Sequence, residues 1–193
     1  MSLAVIIAFF SGGTSVALIN LYKWWLERRD RLAEGTVPSV LKDLHEVYHV
    51  INIILRETEA HRVVINRVEN GGAVPMVGKD LYESVVFEAY DGEMKSVKKG
   101  WQRQVIDEVH VRMLLKIAEK GNVTFRTDKI AACSVRDNFI ANGVVVADAY
   151  QIKAMEGAYY YLCVHFNADG NTNSEYRDLM RYAVNTLNAL IGH

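Results

Sequence analysis

The sequence predicts an α+β domain, an antiparallel sheet flanked by helices, behind an N-terminal transmembrane helix. Three observations carry this reading. No charged side chain occurs from Met1 to Tyr22, and roughly 20 helical residues suffice to cross a hydrocarbon core. Beyond residue 38 the apolar positions switch from helical spacing to alternation and back. The strand-like runs come in adjacent pairs joined by short glycine turns, which favours hairpins over βαβ crossovers.

The N-terminal element is the stretch AVIIAFFSGGTSVALINLYKWWLERRDR. Tyr22, Trp24 and Trp25 follow the apolar run and belong at headgroup level. Lys23, Arg28, Arg29 and Arg31 come next, long enough to snorkel into water. The polar centre, Ser11 to Ser15, is unsuited to lipid, but Ala4, Ala8 and Gly12 fall at i, i+4, i+8, and Gly13 and Ala17 repeat the step. Small residues at that spacing let two transmembrane backbones approach, so a homo-oligomer through this helix is expected, with the bilayer as the other partner. A cleaved signal peptide would place its basic residues before the apolar run, not after it. VIIAFFSGGTSVAL also resembles the pyrophosphatase loop of N-type ATP pyrophosphatases, a strand and SGGxDS before a helix. Ser11-Gly12-Gly13-Thr14-Ser15 is one residue short and lacks the acidic position, and no further βα units follow. The membrane anchor is the stronger reading, with segment 1–34 as transmembrane and juxtamembrane helix and 38–193 as the domain.

Half of the 193 residues are hydrophobic and 23% are charged, so the remainder of the chain folds around a core. A net charge of −1 gives no basic excess, and no nucleic-acid partner is expected. Cys133 and Cys163 form no CxxC pair, which excludes a structural zinc of the Cys type. They read as buried thiols, with one disulfide left open for a domain outside the cytoplasm.

Gly35 to Pro38 breaks the first helix. Ser39 to Glu59 then reads as a helix whose apolar face is Val40, Leu41, Leu44, Val47, Tyr48, Ile51, Ile54 and Leu55. His61 to Val68 and Tyr82 to Tyr90 read as strands, closed by Asn70-Gly71-Gly72 and Asp91-Gly92. Met94 to Gln104 is a basic connection. Val105 to Lys120 is helical, with Val109, Met113, Leu114 and Ile117 inward and Gly121 as its stop. Val123 to Arg126 is a short strand and Ser134 to Asn142 a short helix. Two strands, Val144 to Ile152 and Ala158 to Phe166, precede a last helix in which Thr172 and Glu175 have capping-box spacing. The two terminal helices should pack together on one face of the sheet.

From about Val40 to Ile191 this resembles a GAF domain, a GAF/PAS-like sensor layout. The residues that carry the resemblance are the helix Leu41 to Leu55 with the Ala60 to Val68 strand and the Glu69-Asn-Gly-Gly turn, then Asn142-Gly-Val-Val-Val-Ala-Asp-Ala-Tyr-Gln-Ile and Glu156-Gly-Ala-Tyr-Tyr-Tyr-Leu-Cys-Val-His-Phe with the closing helix. The resemblance implies a regulatory or interaction domain rather than a reaction. It also implies space for a small ligand between sheet and loops, without a family ligand signature.

Chemistry-bearing motifs are few. His45-Glu46-Val47-Tyr48-His49 is an HExxH on a helix, a pattern that puts two imidazoles on one face for Zn²⁺ with the Glu as base. Both histidines lie about 100–140° from the apolar centre of the helix, and no third ligand follows, so a zinc hydrolase is a weak alternative. His61, His110 and His165 stand singly. Lys95, Lys98, Lys99, Trp101 and Arg103 form a basic loop with one aromatic, read as solvated or as touching acidic headgroups. No catalytic, cofactor or metal residues are assigned, and the chain is read as a non-enzyme that binds an unidentified protein or small-molecule regulator. The organisation, one N-terminal span and then a globular domain closing on strand, polar loop and helix, resembles the T-even phage holins, which makes a phage membrane protein the expected function. A membrane-tethered cytoplasmic GAF sensor is the alternative, and the Lys and Arg cluster after the span favours it through the positive-inside rule.

Overall fold

The computed structural model describes residues 37–70, 79–92, 94–155, 158–169 and 174–191. The expected span, its stripe Ala4, Ala8, Gly12, Gly13 and Ala17, and the collar Tyr22, Lys23, Trp24, Trp25, Arg28 and Arg29 lie outside the described residues. So does Thr172 of the expected capping box. Among the described residues no helix is long and apolar enough to cross a membrane. The chain divides into two units, Met1–Leu44 and His45–His193.

Helix α1 runs Val37–Glu57. It starts two residues before the expected Ser39 because Pro38 sits in the first turn, where a missing N–H costs no intrahelical bond. The chain continues as β1 (Arg62–Glu69), β2 (Tyr82–Tyr90), β3 (Gln104–Val105), α2 (Glu108–Lys120), β4 (Asn122–Arg126) and a 3₁₀ turn (Thr127–Lys129). Helix α3 (Ser134–Ala141), β5 (Val146–Met155), β6 (Ala158–Phe166) and α4 (Ser174–Leu190) complete it. Among the described residues six strands form one sheet in the order β3-β2-β1-β6-β5-β4, every neighbouring pair antiparallel.

Both sheet faces are covered, which is why β1 reads as a nearly unbroken buried run. A bulge sets the facing of β2. Ile65 pairs with Phe87 and Asn66 with Val85, leaving Val86 as the extra residue. Ala89 and Phe87 therefore join one core while Val85 and Glu83 face the other.

The first core is built as expected from the two terminal helices. Val47, Val50, Ile51 and Ile54 of α1, and Tyr176, Met180, Ala183 and Leu187 of α4, pack on Val63, Ile65, Leu162 and Val164. The apolar arc of α1 is wider than the surface that covers it. Val40, Leu41, Leu44 and Tyr48, expected inside, are exposed, and the buried stripe centres on Val47 and Ile54 instead. Tyr48 still meets the edge of the Phe87 ring, with centroids 5.4 Å apart.

The second core lies under α2 and α3. Helix α2 begins three residues later than expected, because Gln104 and Val105 pair with Glu83 and Tyr82 as a short edge strand. Asp107 is its N-cap, accepting from the His110 amide at 2.8 Å. The other Asp107 oxygen accepts from the amide and hydroxyl of Ser134, both at 3.2 Å, tying the starts of α2 and α3 together. Partial burial works against the Asp107 charge, but these donors hold its carboxyl below the usual range. The inward face of α2 is His110, Met113, Leu114 and Ile117, with Val109 only half-buried, so the later start turns His110 inward. Gly121 stops the helix as expected, at a φ of 75° that a side chain would disfavour.

Candidate functional site

A cavity of about 40 Å³ lies between the second sheet face and α2 and α3. That is room for two or three waters at roughly 10–15 Å³ each, well short of the ~300–1,000 Å³ of sites that enclose a drug-sized ligand. Its walls are largely apolar, from Val64, Val85, Met113, Phe125, Phe139 and Ala149. Six polar side chains interrupt them: Asn66, Glu83, His110, Asn138, Tyr161 and His165.

Glu83 is 1% exposed. An unpaired carboxylate at that depth would be strongly destabilising. Two hydrogen bonds and a nearby imidazole, from three elements, offset this. Trp101 Nε1 donates at 2.8 Å, His110 Nε2 lies 3.4 Å away, and the Tyr161 hydroxyl donates to the other oxygen. Burial, and then the charge of Glu83, push the Tyr161 phenol well above its usual range, so it stays a donor. Cys163 is held protonated by the same burial, and a buried thiol in this setting is no nucleophile. Cys133 caps α3, its sulfur accepting from the Arg136 amide at 3.4 Å. Both cysteines are free.

At the far end of the same wall, His165 is 5% exposed and its Nδ1 has no partner. Its cross-strand neighbour is Arg62, and the His61 ring lies 6.3 Å away with both nitrogens unpartnered. Burial, reinforced by the charge of Arg62, lowers the His165 pKa to about 3. The ring is neutral at physiological pH. A buried polar atom without a partner, on a residue that lines a cavity, is a place for water or for the polar group of a ligand.

Residues 94–103 form a strap along the cavity. The Glu88 carboxylate accepts from Val97 N at 2.9 Å, Lys98 N at 3.2 Å and Ser96 Oγ at 2.5 Å. Arg62 lies 3.2 Å from Glu88 through Nε and donates through Nη2 to the Lys95 carbonyl at 2.7 Å. The strap's end is stitched to β2 by Val85 N to Trp101 O at 3.0 Å and Arg103 N to Ser84 Oγ at 2.9 Å. This corrects the reading of the basic loop. Lys95, Lys99 and Arg103 do face solvent, but Trp101 leaves them, turns inward and bonds to Glu83. A buried acceptor outweighs the company of neighbouring charges.

The opposite sheet face carries a second polar cluster. Asp148 is 4% exposed and accepts from Thr124 Oγ1 at 2.5 Å and from the Tyr176 hydroxyl at 2.7 Å, with Tyr150 donating to Tyr176 at 3.3 Å. It fastens α4 to β5, whose Ala149 walls the cavity on the other side.

Of the residues singled out in the sequence, His45 and His49 are exposed on α1 with Glu46 half-buried. Among the described residues no three His, Cys, Asp or Glu side chains gather as a metal ion would require. The solitary histidines are brought into company, His110 with Glu83 and His61 with His165. Glu83, Arg62, Glu88 and Asp148 were missed. Their signal was a charge within or at the start of a largely apolar strand.

No family model and no curated protein matches the sequence. Solved structures do match the fold. A far-red cyanobacteriochrome photoreceptor superimposes with a TM-score of 0.59 at 16% identity, covering 87% of this chain and 97% of its own. A GAF domain of Synechocystis sp. PCC6803 in its photoproduct state gives 0.54 at 10%, covering 77% and 92%. The GAF domain of a two-component sensor histidine kinase from Bacillus halodurans gives 0.52 at 9%, covering 75% and 92%. The domain has a GAF-like fold.

Proposed function

We propose that this chain is a sensory or regulatory GAF-like domain that binds a small molecule between its sheet and the α2–α3 side. The observation that carries the reading is the polar lining of an otherwise apolar cavity: a carboxylate that accepts from Trp101 and Tyr161 with the His110 imidazole 3.4 Å away, and, further along the wall, an imidazole 95% buried with an unpartnered nitrogen. A few convergent polar groups in an otherwise apolar cavity are the pattern of a small-molecule site. The neighbours named above are photoreceptor and kinase sensory domains, which supports a sensor over a holin-like role. The output would pass through β5, which touches the cavity on one face and α4 on the other.

Membrane tethering through residues 1–34 belongs to the same proposal and is supported by the sequence alone, as is self-association through Ala4, Ala8, Gly12, Gly13 and Ala17. No catalytic role is proposed. The test is a small-molecule screen by thermal melting of the full chain in detergent. A ligand at a hundred times its Kd stabilises by about 2.7 kcal/mol, about 5–10 °C for a chain of this size. Cooperative melting that no compound shifts would remove the sensor reading.

A further inference from the structure

Trp101 is an unusual strap residue. Its neighbours Lys98, Lys99 and Arg103 are polar, yet its indole N–H reaches a carboxylate that is 1% exposed. The ring fills the part of the cavity wall nearest Glu83, and the space left over is only about 40 Å³. The segment that carries it has one backbone bond to the sheet, Val85 N to Trp101 O at 3.0 Å, and is otherwise held through side chains: the three donors on Glu88, the Arg62 bond to Lys95, the Gln102 amide on Val85 O at 2.8 Å and Arg103 N on Ser84 Oγ. Such a segment opens at lower cost than the sheet beneath it.

Resting on the small-molecule reading above, we propose that Trp101 is the built-in occupant of the pocket, and that the ligand which displaces it is an uncharged, flat, two-ring heteroaromatic presenting a ring N–H to Glu83. The geometry sets each attribute. Removing the indole frees a flat two-ring space between apolar walls. Glu83 loses one of its two hydrogen-bond donors when Trp101 leaves, and a buried carboxylate so depleted favours a ligand that restores an N–H. A ligand carboxylate there would face Glu83 at close range, so anionic molecules are rejected. The apparent affinity is reduced by the fraction of time the strap stays shut, so weakening the strap should tighten binding.

The test uses the full chain with indole as probe, followed by titration calorimetry and amide hydrogen exchange. Saturable binding is expected, with faster exchange at Val97 and Lys98, whose amides are released from Glu88. 1-Methylindole, of nearly the same shape but without the N–H, should bind roughly tenfold more weakly or worse. Glu88→Gln should bind indole several-fold more tightly. If that variant does not fold, the two wild-type measurements decide the matter. Equal binding of the two indoles, unchanged exchange at Val97 and Lys98, or no binding of indole at all would each overturn the proposal. Should indole fail while another compound shifts the melting curve, the displacement model falls and the sensor reading stands.

Discussion

His165 provides a prediction whose size can be worked from the structure. The imidazole is 5% exposed, faces Arg62 across β1 and β6, and has His61 beside it. Its folded pKa of about 3 lies below the ordinary 6.5. The sign follows from linkage. A base whose folded pKa is depressed stays neutral in the fold while the unfolded chain takes up a proton, so stability is intact above pH 6.5 and is lost as pH falls towards 3. At pH 5 the loss from this one group is 1.5 pH units at about 1.36 kcal/mol each, roughly 2 kcal/mol. With a urea slope near 2 kcal/mol/M, the midpoint moves by about 1 M. The perturbation is His165→Leu, which removes the titrating group and keeps the site apolar. The assay is urea unfolding of both proteins at pH 7.5 and pH 5.0. His61, whose pKa burial also lowers, titrates in both proteins and cancels in the comparison. Wild type should lose about 2 kcal/mol more than the variant across that interval. Parallel losses would show that His165 is not held neutral, and the description of the cavity's far end would be wrong.

Three further outcomes follow from the same structure. Tyr176→Phe removes the donor to Asp148 and leaves Tyr150 without its acceptor, which should cost about 2–3 kcal/mol and lower Tm by roughly 5–10 °C in a melting scan. Raising the pH should destabilise the domain from about pH 10, where unfolded tyrosine ionises; Tyr161, held protonated by burial and Glu83, alone contributes about 1.4 kcal/mol per pH unit, and Tyr161→Phe should flatten the alkaline limb of urea midpoints against pH. Asp107→Ala removes the cap of α2 and its tie to Ser134, for an expected loss of about 1–2 kcal/mol in urea unfolding, with Asp107→Asn recovering much of it.

The elements themselves were largely legible. β2 and β6 have the residues expected of them, because each is an apolar run bounded by a turn or loop signal. The pairing of α1 with α4 was legible too, since each carries one apolar stripe and the sheet has only two faces. What local pattern could not supply was partnership over distance. Glu83 meets Trp101 across 18 residues and Tyr161 across 78. In sequence Trp101 sits among lysines, a glycine, an arginine and glutamines, so composition placed it at the surface; a single buried acceptor reverses that. Arg62 and Asp148 were passed over as the polar members of alternating strands, although a sheet covered on both faces leaves no solvent side for them. The face of α1 was misjudged for a related reason. Periodicity identifies which residues are apolar, but the width of the covering sheet decides how many are buried.

The most direct measurement of the central claim is NMR of the full chain carrying ¹³C-methyl methionine, titrated with the compounds that shift its melting. Met113 lines the cavity, while Met180 is buried in the core on the opposite face. A ligand in the proposed pocket moves the Met113 methyl with saturating dose dependence, and any movement of Met180 follows at the same midpoint as the effect passes through β5 to α4. Binders that leave Met113 unmoved while perturbing other methyls would place the ligand elsewhere and contradict the account.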